Sequence, residues 1–447
     1  MHIIIIGAGK VGYSLAKRLS EESHSVIVID QDEDRINVVK SNLDVTTILG
    51  NGASPQLLKD AGVKKSGLVI AVTLSDEINM LSCLAAKKLG AKKTIARIRS
   101  EDYSKEGELV FFNDLVGVDL SINPELVTAL EILKILITPG AINVEHFAEG
   151  KVEMFETKIK EDCPYCNIPL IDLTLPPQIL IAGIMRSGKM IIPSGKDSLF
   201  FNDHVFFLGD DEAIHKFSKE FSSKKSRVER VLIIGAGRIG RYLAAMLQEK
   251  NIAVKIIEKD AKRAQLAADK LREINVFCAD AADIEFLKSI GINEADVVVC
   301  LTEDDKLNLL LALISKHLNA AKTITKLEWT DYSDLTEQLG IDVALSPRNI
   351  TTGTILKLVR KGDIVQVSLL QGANAEALEF IVSEKCKNIN IPLKSANFPR
   401  NALIGTIVRD GVAIIPDGNT ALIINDRVIV FVLPESVEKV ISYFGKH

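Results

Sequence analysis

Two glycine loops carry the chemistry that this sequence offers. Gly7, Gly9 and Gly12 stand in Gly7-Ala8-Gly9-Lys10-Val11-Gly12 directly after Ile3-Ile4-Ile5-Ile6, and Gly235, Gly237 and Gly240 stand in Gly235-Ala236-Gly237-Arg238-Ile239-Gly240 after Val231-Leu232-Ile233-Ile234. In a glycine triplet of this spacing the first residue permits a tight turn, the second lets the main chain approach a pyrophosphate, and the third lets a helix pack closely. The start of that helix turns free N–H groups and the positive end of its dipole toward an anion. A lone triplet is weak evidence, because glycine marks turns in general. Here it sits between an apolar strand and a helical segment, and does so twice.

Asp30 and Glu258 each lie eighteen residues beyond the third glycine of their loop. A carboxylate at the end of the second strand accepts hydrogen bonds from ribose hydroxyls and repels a 2′-phosphate, which favours NAD or an adenine nucleotide over NADP. Lys10, Val11, Arg238 and Ile239 border the phosphate position, and Gln31 and Lys259 follow the carboxylates. A third strand ends in Gly50-Asn51-Gly52-Ala53 in one half and in Ala279-Asp280-Ala281-Ala282 in the other, so the two sites are expected to differ in ligand. Thr73, Asp76 and Asn79, with Thr302, Asp305 and Asn308, close the fourth strands, where polar groups would border adenine and ribose. Helix capping by Ser75 or Asp76 is the alternative. Arg97, replaced by Lys326 in the second half, offers a cation for phosphate or a surface ion pair.

These positions recur because the chain is duplicated. The glycine loops are displaced by 228 residues and the Thr-Asp-Asn sets by 229; Pro169, Arg186, Gly188, Pro193, Gly195, Asn202 and Asp203 recur 223 residues later as Pro392, Arg409, Gly411, Pro416, Gly418, Asn425 and Asp426. Each unit opens with alternating strands and helices: strands near 2–6, 25–30, 45–49, 67–72 and 93–98, and helices near 11–22, 32–41 and 75–89 in the first. That alternation implies a doubly wound parallel sheet. Pro124 and Pro347 open a further helix, and Pro139-Gly140 stops the first of these. About 80 residues of short β-rich runs and a terminal helix follow, which gives a small α+β domain. The expected fold is therefore two tandem Rossmann-like α/β domains, at 1–138 and 228–360, each followed by a small α+β domain, at 139–222 and 361–447. Ser222-Ser223-Lys224-Lys225-Ser226 reads as the linker.

The totals narrow the function. The chain has 447 residues, 54 Lys plus Arg against 59 Asp plus Glu, and a net charge of −5, so no excess positive field exists to hold nucleic acid. Lys87-Lys88, Lys92-Lys93 and Lys224-Lys225 read as solvated faces and a linker. Met1-His2 leads straight into the isoleucine run, as a first strand does and a signal peptide does not. The apolar run from Leu307 to Ile314 is too short to cross a bilayer, so membrane contact would come through a partner. Cysteines 83, 163, 166, 278, 300 and 386 are scattered, and Cys278 and Cys300 fall in apolar strands, which indicates reduced core thiols.

The combination of GAGKVG with Asp30, Gly50-Asn51-Gly52, Asp76-Glu77-Asn79, Ala96-Arg97, and then Gly188, Ile192-Pro193, Gly195 and Asn202-Asp203, all in a duplicated frame, resembles the potassium-conductance-regulating (RCK, also called KTN) domains. These occur in tandem in the NAD-binding peripheral component of Trk-type potassium-uptake systems. The resemblance covers essentially the whole chain. It implies a cytoplasmic protein on the inner face of the membrane, four chains forming a ring beneath a membrane-embedded potassium-translocating subunit, and gating by NAD or NADH and by ATP or ADP. Ala279-Asp280-Ala281-Ala282 and Lys326 depart from the pattern of the first unit and bear on nucleotide preference at the second site.

Three rivals remain. A dehydrogenase would share the nucleotide fold, but only about 80 residues follow each Rossmann unit, and the histidines at 2, 24, 146, 204, 215, 317 and 447 include no duplicated member to act as acid or base. His204 aligns with Arg427 as a strand residue. Cys163-Pro164-Tyr165-Cys166 has the spacing of a metal or redox site, yet Cys163 aligns with Cys386 and Cys166 with Ile389, as half-buried structural positions would. A nucleotide sensor for another channel or transporter is the third.

Overall fold

A computed structural model describes residues 1–22, 24–100, 103, 115–161, 163–221, 228–328, 336, 338–359, 364–370 and 375–445. The proposed linker at 222–226 lies outside them. The chain divides into two compact units, Met1–Ala129 with Ser346–Val359, and Leu130–Leu345 with Arg360–His447.

In the first unit the isoleucine run forms β1 (His2–Ile6), with Ile3 to Ile6 at most 1% exposed. A strand apolar at every position belongs in the middle of a parallel sheet covered on both faces. Around it lie β2 (Ser25–Asp30), β3 (Thr46–Leu49), β4 (Leu68–Ala71), β5 (Thr94–Arg97) and β6 (Leu120–Ile122), in the order β3-β2-β1-β4-β5-β6, all parallel. The order reverses beside β1, which opens a crevice at the carboxyl edge there. The helices are α1 (Lys10–Glu21), α2 (Glu33–Asn42), α3 (Pro55–Asp60), α4 (Asp76–Lys88) and α5 (Pro124–Ile137). Asp32, Ser54 and Ser75 cap α2, α3 and α4 through their side chains.

The second unit starts within α5, at Leu130, and its first sheet is the small antiparallel one of β7 (Asn143–Phe147), β8 (Val152–Lys158), β9 (Ile179–Arg186), β10 (Lys189–Ile191) and β11 (His204–Asp210), in the order β10-β9-β11-β8-β7, closed by α6 (Asp211–Phe217). The second Rossmann sheet follows: β12 (Arg230–Ile234), β13 (Ala253–Glu258), β14 (Asn275–Cys278), β15 (Val297–Cys300), β16 (Lys322–Lys326) and β17 (Val343–Leu345), ordered β14-β13-β12-β15-β16-β17 as in the first. Its helices are α7 (Arg238–Glu249), α8 (Ala261–Lys270), α9 (Ile284–Ser289) and α10 (Asp305–His317). The next helix, α11 (Pro347–Val359), belongs to the first compact unit and packs against α1. The last sheet, β18 (Ile364–Leu370), β19 (Ala375–Ile381), β20 (Ala402–Arg409), β21 (Val412–Ile414) and β22 (Arg427–Val432), repeats the β7–β11 order and ends in α12 (Val437–Phe444).

The repeated signature of the small sheets is an arginine clamp on a buried carboxylate. Arg186 grips Asp203 with two bonds of 2.8 and 2.7 Å, and Arg409 grips Asp426 at 2.9 and 2.8 Å. Asn202 and Asn425 turn through left-handed backbone at φ 68° and 73°. His204 pairs with Glu156 as Arg427 pairs with Glu379, each at 2.7 Å, which makes His204 the structural strand residue expected of it. The two small sheets share one apolar cluster that includes Phe147, Phe206, Leu370 and Phe431.

The cysteines form no disulfide, and Cys83, Cys300 and Cys386 are buried. Cys278 departs from the expectation of core thiols: it is exposed, because β14 is the edge strand of its sheet. Cys163 and Cys166 are half-buried against the cluster of Phe155, Phe207, Phe217 and Phe221.

Candidate nucleotide sites

At the carboxyl end of β1 the three glycines are required for three separate reasons. Gly7 turns at φ +107°, and a methyl there would lie 2.9 Å from the Thr73 nitrogen. At Gly12 a methyl would lie 1.8 Å from the Gly7 carbonyl oxygen, so the helix approaches its own loop too closely for a side chain. Gly9 meets nothing within 4 Å: its face is open. It occupies the N-cap position of α1 and supplies no side-chain cap to the first helical N–H groups. The second loop repeats this geometry, with Gly235 at φ +111°, Gly240 facing the Gly235 oxygen at 2.2 Å, and Gly237 open at the uncapped start of α7. Open main chain at a helix start is a seat for a phosphate.

The carboxylates stand beside those loops. Asp30 accepts from the Ala8 N–H at 2.5 Å and from the Asp32 N–H at 2.9 Å. Glu258 accepts from Ala236 and Asp260, both at 2.9 Å. A longer side chain thus makes the same two main-chain bonds. Each oxygen accepts one bond and retains acceptor capacity for a sugar hydroxyl. Lys10, Arg238, Gln31 and Lys259 are exposed around the loops, and Val11 and Ile239 are partly exposed.

The polar sets after the fourth strands serve the scaffold. Asn79 is fully buried; its Oδ1 accepts from the Thr73 N–H at 2.8 Å and from the Thr73 hydroxyl at 2.7 Å, and its Nδ2 donates to the Thr73 and Arg97 carbonyls at 3.2 and 2.8 Å. Asn308 does the same with Thr302 and the Lys326 carbonyl. Asp76 accepts from the Arg99 and Ser100 N–H groups, and Asp305 from that of Glu328. These bonds are made without a nucleotide and place all three groups at the carboxyl end of the fourth strand. They pin the end of one strand to the next, and Ser75 and Asp304 are the helix caps. Arg97 is half-buried and reaches the Thr73 carbonyl at 3.4 Å, while Lys326 is buried.

Gly52 is likewise a packing residue. A methyl there would fall 2.1 Å from Ile6 Cγ2. Asn51 and Asp280 both form a tight turn, accepting from the N–H two residues ahead at 2.9 and 3.0 Å, but Asp280 also pairs with Lys259 at 2.7 Å. That lysine, followed by the Ala282 N–H, lowers the Asp280 pKa. Ala281 is buried. Arg263, which the sequence did not single out, pairs with Glu303 at 2.8 Å. The pair joins the helix after β13 to the loop after β15, and these strands flank β12 and its glycine loop.

Family models for the TrkA-N domain match residues 3–124 and 231–347, and those for the TrkA-C domain match 154–222 and 377–445. The chain belongs to the TrkA family. It is 38% identical to the Trk system potassium uptake protein TrkA homolog 1 of Methanosarcina mazei over 99% of this chain and all of that one, and 38% identical to the Archaeoglobus fulgidus homolog over the same shares. Among solved structures, the GsuK channel bound to NAD covers 99% of this chain and 78% of its own, with TM-score 0.65 and 18% identity, which shows a shared fold. Both relatives are named as Trk system potassium uptake proteins, and neither is named as a dehydrogenase. No helix among the described residues is long and apolar enough to cross a membrane.

Proposed function

We propose that this TrkA-family chain is a nucleotide-sensing regulatory subunit that binds NAD or NADH at the first crevice and an adenine nucleotide, NAD or ATP and ADP, at the second. The observation that carries this reading is the open face of Gly9 and Gly237 at an uncapped helix start, with Asp30 and Glu258 beside it. The diphosphate would sit on the main chain of residues 9–12 and 237–240, and the carboxylates would hold ribose hydroxyls and repel a 2′-phosphate. The NAD-bound GsuK structure of the same fold supports the assignment.

Its partner is a membrane-embedded Trk-type potassium-translocating protein, beneath which four chains assemble as a ring on the cytoplasmic face. Nucleotide then acts by population shift. A ligand moves the ring only by as much as it prefers one of its shapes, and a preference of about 3 kcal/mol changes their ratio more than a hundredfold.

The partner is tested by affinity purification of the tagged chain from native membranes with NADH present, alongside growth of a deletion strain at limiting potassium. A polytopic potassium-translocating protein should co-purify, and growth should slow. Normal growth without a membrane partner would overturn the assignment.

A further inference from the structure

The first small sheet holds a group of side chains that nucleotide binding does not use. His146 on β7 and Glu153 on β8 are direct cross-strand neighbours, and Asp211 begins α6 just beyond Asp210, which pairs with Val152 at the start of β8. His146 Nε2 lies 3.5 Å from Glu153 Oε2 and 3.8 Å from Asp211 Oδ1, and one donor atom from each residue lies within 4.8 Å of the others. Glu153 is 3% exposed, whereas the His146 and Asp211 side chains are 33% and 46% exposed, so the group has a closed floor and an open side.

Two carboxylates and an imidazole converge here from two strands and the start of a helix, offering one nitrogen and two oxygen donors to a common point. The structure assigns to His146, Glu153 and Asp211 a site for a divalent first-row metal ion, zinc being the best match to one imidazole nitrogen and two carboxylate oxygens with water completing the open side.

The site is not duplicated. The equivalent positions are Leu369, Glu376 and Pro434, which cannot reproduce the donor set. Its location gives it a consequence. The His146 carbonyl accepts from Gln366 at 2.6 Å, the Ala148 N–H donates to Glu379 at 3.0 Å, and Glu149 pairs with Arg427 at 2.7 Å. A metal joining β7, β8 and α6 would brace the hairpin that ties the two small sheets together.

The test is calorimetric titration of zinc chloride into the metal-free full-length chain, carried in a Cys163→Ser, Cys166→Ser, Cys278→Ser background so that no accessible thiol can bind the ion. A single zinc should bind per chain. Asp211→Asn and His146→Gln should each weaken it by about tenfold or more while leaving the melting temperature of the metal-free protein unchanged. Absence of saturable binding, or binding that the combined Asp211→Asn, His146→Gln variant retains unweakened, would overturn the site.

Discussion

At the mouth of the first crevice the residues that follow the turns are Gln31 and Asn51, and Leu74, in the loop after β4, is 71% exposed. In the corresponding places the second crevice has Lys259, Asp280 and Glu303, and they close as two ion pairs, Lys259 with Asp280 and Arg263 with Glu303. Beneath this difference the glycine turns and the main-chain bonds to the carboxylate repeat within a few tenths of an ångström. The floor of each site is fixed by steric contacts that admit no side chain, so it changes little after duplication. The rim is made of exposed side chains and is free to diverge. Exposed pairs are worth up to about 1 kcal/mol each. A nucleotide that displaced both would lose no more than about thirtyfold in affinity. The second crevice is therefore biased against entry rather than shut.

The comparison extends beyond the crevices. Lys93, just before β5, is exposed, whereas the amine of its counterpart Lys322 is enclosed and donates to the Ala141 carbonyl at 2.7 Å. Burial lowers the Lys322 pKa from 10.5 to about 8, with Lys316 and Lys160 adding to the effect and Asp342 opposing it. Between those values the unfolded chain holds a proton that the folded chain has shed, so stability rises with pH across that window and is lost as pH falls through about 8. Chemical denaturation from pH 7.5 to 10 should show this rise, up to about 3 kcal/mol, and Lys322→Met should flatten it. Lys93→Met should leave it unchanged. Equal slopes for the two variants would remove the asymmetry.

A smaller effect sharpens the difference at the rim. Asp280→Asn installs the residue of the first unit, breaks the pair with Lys259 and frees that ammonium for phosphate. Second-site affinity for ADP, measured in a Gly9→Asp background, should rise by about two- to fivefold. Unchanged affinity would mean that the pair does not restrain entry.

Much of this was legible in the sequence because the relevant signals are local. Isoleucine runs specify strands buried on both faces, and the glycine spacing specifies the turn into α1. The sixth strands, Leu120–Ile122 and Val343–Leu345, are too short to show alternation. The main-chain bonds of Asn79 and Asn308 are not legible in the sequence, because a polar residue at a strand's carboxyl edge has the same signature whether it faces a ligand or satisfies buried main chain. Arg263 with Glu303 joins a helix to a loop, and His146 with Glu153 and Asp211 joins two strands to a helix start. They depend on strand register and on how elements pack, which residue spacing does not reveal.

The account stands on whether the glycine loops receive a diphosphate. Equilibrium titration of NADH into the intact chain and its Gly9→Asp variant tests this directly, because a side chain at Gly9 meets open space and spares the fold. The intact chain should bind, and Gly9→Asp should lose first-crevice affinity by about a hundredfold or more, since a carboxylate would occupy the phosphate seat. Binding of equal affinity and stoichiometry in a folded Gly9→Asp protein would contradict it.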